Sequence, residues 1–586
     1  MNLNNYSINK IMNNTSKLNL LNISYFLAII IVSILTAYVN GTAGAESWGY
    51  WFFNKELKET GTFIINDRSP LFTIYLSLFS WMNFPTNLIF QHIASSILLT
   101  FSFLYLFRNL AWLPLIFIAS AAWLPFILVS EPPVQTMALC FSNFAIGLRV
   151  GKENNLNLGL FYLLLFCSFL FRGTYAILIV LFIIYDLYQV SKQENKLKYF
   201  LKNLKSVTIY FIPVLLIMLL ALLRQSPHPF NNAWFASTDW MPTDGKSMTN
   251  ASFIQAYHER YIVKTHGKCC LPEHHMYYKE AGPFNSALNI ISAIKQNPVF
   301  VLKEVYIKTQ EYVAMLSRLT NYDIQWIENK QGLAFKIAKL AGFLLISIII
   351  YFAFSFSRGH PALLILLIST ILTSALTIFL NMPKPRYLVI WAPIFIFAYL
   401  WATYLIRYKL FKFLRISNNK INNIFTLMIM FFILNYANSP RLYWDEVKIN
   451  INNSIKTGQI SMLERWESSR NSAKISSIKS VISRCSNVLA TTDATFIGAF
   501  TDIKVRNVTD YWIFPPSKLE KVDYSKYLDL KFDCIFVSDE ANKSNHYQFT
   551  NYVFPLQENL IRKGGVKLNL PNYGYVTILP NENGNN

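Results

Sequence analysis

Long uncharged runs alternate with short polar stretches along most of this chain. The runs lie at about 21–39, 86–107, 111–130, 133–149, 157–171, 174–189, 206–224, 334–354, 361–380, 387–406 and 422–437. A helix rises about 1.5 Å per residue, so runs of this kind approach or match the ~30 Å hydrocarbon core of a bilayer. The pattern predicts about eleven transmembrane helices. A further apolar piece, PLFTIYLSLFSWM (70–82), is short, and its length suits an interfacial or re-entrant segment. The first run is followed by TAGA (42–45), the A-x-A pattern of a cleavable signal peptide. Its distance from the apolar run and the many later runs favour an uncleaved anchor.

The polar stretches orient the runs. With the N-terminus inside, the inner loops carry Arg108, Arg149 with Lys152, KQENKLKYFLKNLK (192–205), Arg358 and RYKLFKFLRISNNK (407–420). The basic short loops then share one side, as the positive-inside rule requires. Outward lie an opening loop 40–85, the turn at Glu131, a long loop 225–333, turns carrying Arg172 and NMPKPRY (381–387), and a tail 438–586. The tail alternates short β-like runs, NVLATT (487–492), FDCIFVSD (532–539) and YGYVTILP (573–580), with helix-like polar stretches such as 461–485. That alternation predicts a small α/β domain. The organisation is therefore an N-terminal cytoplasmic segment 1–20, a transmembrane region 21–437 and an extracytoplasmic α/β domain 438–586. The predicted fold class is an α-helical polytopic membrane protein with a small C-terminal α/β domain.

Composition agrees. Of 586 residues, 53% are hydrophobic and only 15% charged, against about 25% charged in soluble domains. The net charge of +21 raises nucleic acid as a partner, but no basic patch or stacking platform accompanies it. Membrane lipids are the expected surroundings. Cys140 and Cys167 fall in apolar runs, where cysteine acts as a small hydrophobe. Cys269, Cys270, Cys485 and Cys534 fall in outward polar regions, where up to two disulfides in three connectivities, or free thiols, are open. HGKCCLPEHH (266–275) has ligand-type residues without a standard zinc spacing, so no metal site is assigned; His266 is a candidate to line an acceptor entrance. TDGKS (243–247) lacks the earlier glycine of a P-loop.

The outward turns hold the candidate chemistry. Glu46 opens SWGYWFFNKELKE, which reads as a helix with Trp48, Trp51 and Phe52 on one face and Lys55 and Lys58 beside it. Such a helix suits the headgroup layer, and the helix dipole favours a carboxylate at its start. Glu131 is a second acid at a run's end. Arg68, Arg172, Lys384 and Arg386 stand outward against the positive-inside trend, and arginine's planar fork binds phosphate through two oxygens at once. Read blandly, the acids are helix-end charges and the cations snorkel to headgroups.

Taken together, an outward acid after the first span, a surface helix, the step Pro70-Leu71-Phe72, a second acid at a span end and a late Arg386-Tyr387 opening a span resemble the GT-C glycosyltransferases. The protein O-mannosyltransferases and lipid A aminoarabinose transferases are closest in style. The resemblance covers roughly residues 20–410. Glu46 stands alone where an acidic pair is common, and Ser69-Pro70-Leu71-Phe72 replaces Pro-Pro-Leu-Tyr. The resemblance implies a GT-C-like fold and a sugar donor on polyprenyl phosphate, with transfer to a glycan, lipid or protein acceptor of the cell envelope, lipopolysaccharide among them. It places the chain in a bacterial inner membrane with its site facing the periplasm or exterior. In this scheme Glu46 is the general base, with Glu131 orienting the acceptor or sharing that work. Arg386, then Arg68, Arg172 and Lys384, hold the leaving phosphate. Tyr387, Trp48 and His266 line the substrate site. A single displacement predicts inversion. No cofactor is required, although a divalent metal is compatible with the chemistry. Two other classes share these features: a transporter or flippase of lipid-linked saccharides, and a polymerase or ligase whose long loop would grip pyrophosphate, with Arg260 and Arg318 available in 225–333.

Overall fold

A computed structural model describes residues 70–82, 86–130, 133–151, 157–192, 196–224, 290–318, 360–380, 385–414, 423–430, 470–490, 504–507, 532–538, 553–570 and 573–579, with scattered positions within 27–34, 54–63, 347–355 and 448–456. The helices are α1 Pro70–Ser77, α2 Thr86–Phe107, α3 Leu113–Ser130, α4 Pro133–Gly151, α5 Leu158–Phe171, α6 Ala176–Ser191 and α7 Lys196–Leu223. They continue as α8 Ile290–Gln296, α9 Pro298–Arg318, α10 Pro361–Leu380 and α11 Ala392–Leu414. Tight 3-10 turns, Gly173–Tyr175 and Pro385–Trp391, lead into α6 and α11. Among the described residues four helical stretches are long and apolar enough to cross a bilayer: Phe90–Phe107, Gly173–Ser191, Pro361–Leu380 and Tyr387–Leu410. Leu113–Leu124, Val134–Val150, Leu158–Phe171 and Val207–Leu223 are shorter apolar helices. The chain is thus a largely helical membrane protein with a small sheet.

Local sequence explains where the helices begin. Proline opens α1, α4, α9, α10 and the turn before α11. Its fixed φ suits a first helical residue, and its missing N–H would have no helical partner there. Asn157 caps α5 by accepting from the Leu160 N–H at 3.1 Å, and Asn297 caps α9 by accepting from Phe300 N–H at 3.1 Å. The basic stretch read as an inner loop, 192–205, differs: from Lys196 it is the first part of α7. At 28 residues that helix is about 42 Å long, more than a hydrocarbon core needs, so its lysine-rich start extends past the apolar part.

Polar side chains inside the bundle bond to backbone or across helices. Thr100, Ser120, Thr370 and Thr403 donate back to the carbonyl four residues earlier. Asn143 Nδ2 on α4 donates to Ser102 Oγ on α2 at 3.0 Å, and Ser168 Oγ on α5 donates to the Ala138 carbonyl on α4 at 2.7 Å. Such bonds hold helices together where no water competes. Rings fill the core: Trp123 of α3 stacks on Phe395 of α11, centroids 4.7 Å apart.

The tail contributes α12 Arg470–Ile482, β1 Asn487–Ala490, β2 Lys504–Asn507, β3 Cys534–Ser538, α13 Phe554–Arg562, β4 Val566–Leu570 and β5 Gly574–Ile578. The three strands read from sequence are β1, β3 and β5; β2 and β4 are additional. The sheet order is β2-β1-β3-β5-β4. β1 runs parallel to β2 and β3, while β3–β5 and β5–β4 are antiparallel. Every residue of β3 is buried, as a central strand covered on both faces should be. Ile478 and Ile482 of α12 share a core with Val488, Phe536 and Val576. Gly574 has φ +122°, and a Cβ there would lie 2.1 Å from the Val537 carbonyl oxygen, so only glycine lets β5 approach β3. Tyr575 donates to Gln557 Oε1 at 3.0 Å, and burial raises its phenol above the ordinary range. Cys485 and Cys534 are disulfide-bonded, their Cα atoms 5.9 Å apart. Cys269 and Cys270 lie outside the described residues.

Candidate active site at the Arg172 end of the helices

The Arg172 turn is the centre of the site. Arg172 caps α5 in an extended conformation, and its N–H donates to the Ser168 carbonyl at 2.9 Å. The chain then makes one tight turn, the Tyr175 N–H donating to the Arg172 carbonyl at 3.1 Å. Thr373 of α10 donates to the Thr174 carbonyl at 3.4 Å, tying this turn to a neighbouring helix. The half-buried Arg172 guanidinium sits over the Tyr387 ring, 5.9 Å from its centroid, at the outer limit of a cation–π contact. Two residues chosen from sequence, 215 positions apart in the chain, therefore meet. Arg386 immediately precedes Tyr387 in the Pro385–Trp391 turn.

That turn is held by a buried polar knot. Trp391 Nε1 donates to Ser374 Oγ at 2.8 Å and lies 3.1 Å from Tyr312 Oη. Tyr312 Oη donates to Ser374 Oγ at 3.0 Å and lies 3.3 Å from the Tyr387 carbonyl oxygen. Ser374 Oγ also reaches the Thr370 carbonyl. Three elements, α9, α10 and the turn, thus converge under Tyr387. Buried, mutually satisfied networks of this kind restrict the groups they hold to one arrangement.

The opening loop and α1 complete this end. Phe72, in the Pro70-Leu71-Phe72 step, packs edge-on against Phe171, centroids 6.2 Å apart, and Phe171 stacks on Phe141. Buried Asn54 donates to the Thr73 carbonyl at 3.1 Å, so Asn54 lies against α1. Phe63 N–H donates to the Arg224 carbonyl at 2.7 Å, joining the same loop to the end of α7. α1 has 8 residues, about 12 Å of helix, too short to cross a bilayer.

Of the other candidates, Glu46, Trp48, Arg68, Glu131, His266 and Lys384 lie outside the described residues. Sequence reasoning did not single out Tyr312, Ser374 or Trp391. It also passed over Glu304, Lys308 and Glu311, which are buried on α9. Their i, i+4, i+7 spacing is a one-face helical signal, but it was hidden inside a region read as a loop. Among the described residues no three metal-ligating side chains converge.

What this arrangement can do chemically follows from the turn. A guanidinium on a fixed turn, partly open and braced by an aromatic ring, can bind an oxyanion without first ordering itself. No family model matches the chain, and no curated protein matches it.

Proposed function

We propose that this chain is an inverting GT-C-type membrane glycosyltransferase. It takes a sugar from a polyprenyl-phosphate donor and passes it to a cell-envelope acceptor on the extracytoplasmic face. The observation that carries this reading is the approach of Arg172 to Tyr387, 5.9 Å from cation to ring centroid, beside Arg386 in the chain. It supports a cationic seat for the lipid phosphate that leaves as the sugar transfers. Charge on that phosphate grows in the transition state, and preplaced cations stabilise it there. Glu46 removes the acceptor's proton, with Glu131 orienting the acceptor. The bilayer is crossed by about eleven helices, with the Arg172 end outward. The Cys485–Cys534 disulfide supports an outward tail, since such bonds persist in oxidising compartments.

The test is sugar transfer in membranes carrying wild type, Glu46→Gln, Arg172→Ala or Arg386→Ala, with labelled polyprenyl-phosphate sugars as donors and envelope extract as acceptor. Wild type is expected to transfer label. Loss of one phosphate-binding arginine should lower the rate about 10²–10³-fold, the effect of removing one transition-state donor. Full activity in Glu46→Gln would reduce that acid to a helix-end charge and move the base role to Glu131. Labelled lipid crossing the bilayer with no donor consumed would replace the enzyme by a transporter.

A further inference from the structure

Helices α8 and α9 have the wrong polarity for a loop in water. On α9 the buried face carries Glu304, Lys308, Glu311 and Tyr312, while the exposed face carries Val299, Leu302 and Tyr306, which are 75%, 69% and 65% exposed, together with Lys303 and Thr309. Ile291 of α8 continues that apolar surface. Water drives the opposite arrangement, with apolar groups inward and charges outward. A bilayer drives this one, because ionisable groups there turn to the protein interior.

The packing gives the depth. Ile290, Ala293 and Val301 form a small cluster against which Phe379 and Leu380 pack, so the start of α9 lies at the end of α10. Further along, Tyr312 meets Ser374. Ser374 lies six residues before Leu380, about 9 Å inside a helix able to cross the bilayer. α9 therefore descends alongside α10. α10 itself exposes Ile368, Leu372 and Leu376, the side a bilayer-crossing helix shows to lipid. The exposed lysines of α8 and α9, Lys295 and Lys303, both lie toward the shallow end, where an ammonium reaches headgroup phosphates.

We infer that α8 and α9 are embedded in the leaflet at the Arg172 end, with Val299, Leu302 and Tyr306 against lipid acyl chains and Lys295 and Lys303 at the phosphate layer. The segment 290–318 is then a wall of the membrane domain. Through Tyr312 it contributes to the polar knot under Tyr387. This inference does not depend on the proposed chemistry.

The test uses the full chain in nanodiscs of phosphatidylethanolamine and phosphatidylglycerol. Cys140, Cys167, Cys269 and Cys270 are replaced by alanine, and single spin labels are placed through Leu302→Cys and Tyr306→Cys. Leu376→Cys on α10 serves as the lipid reference and Leu568→Cys on β4 as the water reference. Collision with oxygen, which concentrates in lipid, is compared with collision with the water-soluble nickel chelate NiEDDA. Oxygen-dominated collision at both α9 positions, as at position 376, is the expected result. Nickel-dominated collision, as at position 568, would put α9 in water and overturn the inference. Low collision with both reagents would mean that protein covers the face, and would overturn it equally. If either labelled variant is not recovered folded, Val299→Cys reports on the same face.

Discussion

Asp186 interrupts a helix that is otherwise uncharged, and its environment explains how it is tolerated. Arg149 forms an ion pair with it, and the Tyr162 hydroxyl donates to it at 2.6 Å. The Arg149 guanidinium lies about 5 Å from the rings of Phe161, Phe182 and Tyr185. From sequence, Arg149 reads as one more inner-loop charge; in the fold it is buried and committed to one partner. Breaking such a pair leaves a bare buried charge, which costs about 3–5 kcal/mol, whereas replacing both members with apolar groups is often neutral. Asp186→Asn should therefore lower the unfolding temperature of the detergent-purified protein markedly. Arg149→Met combined with Asp186→Leu should recover most of that loss. Unchanged melting of Asp186→Asn would show that the pair contributes nothing. At the same scale, Arg172 and Tyr387 were chosen independently from sequence, and their meeting links two distant motifs.

At the scale of elements, contact distance between helices is set by small residues. A Cβ on Gly147 of α4 would lie 2.6 Å from the Tyr105 ring and 3.1 Å from the Leu106 Cα on α2. The two backbones are therefore in contact there, one turn from the Asn143–Ser102 hydrogen bond. Small residues at helix crossings in membranes allow this approach. Gly147→Leu must push α2 and α4 apart, an overpacking cost of about 1–3 kcal/mol or more. Thermal unfolding should detect it, and Gly147→Ala should fall between the two. Equal stability of all three would mean that the helices separate freely. Most of the described helices were legible from their uncharged runs. α9 was not, because its charges break the run; only the packed structure shows that those charges face inward.

For the whole molecule, one covalent bond offers a test of the orientation proposed for the tail. The Cys485–Cys534 bridge closes a loop of 49 residues, and a loop of that size contributes about 4 kcal/mol in the chain-entropy account. In intact cells, Cys485 and Cys534 should resist alkylation until a reductant is added, and Cys485→Ser should make the tail sensitive to protease added from outside. Ready alkylation without reductant would place the tail in a reducing compartment and reverse the proposed orientation. The sheet itself was partly legible. β1, β3 and β5 are apolar runs flanked by polar residues, whereas KVRN of β2 and VKLNL of β4 lack that contrast in sequence, and β4 lies exposed from Val566 to Asn569.

The sequence by itself determined the membrane class, the positions of most of the described helices and the tail's mixed α/β character, and it proposed a short set of cations and acids. These are local properties: hydropathy over a helix length, alternation of short apolar runs in the tail, charge at a turn. Only the tertiary structure decided which of them meet. The Arg172–Tyr387 contact, the Tyr312–Ser374–Trp391 knot, the Arg149–Asp186 pair and the inward face of α9 all join residues far apart in the chain. No local pattern encodes such pairings, because they arise from the way the helices pack around one another.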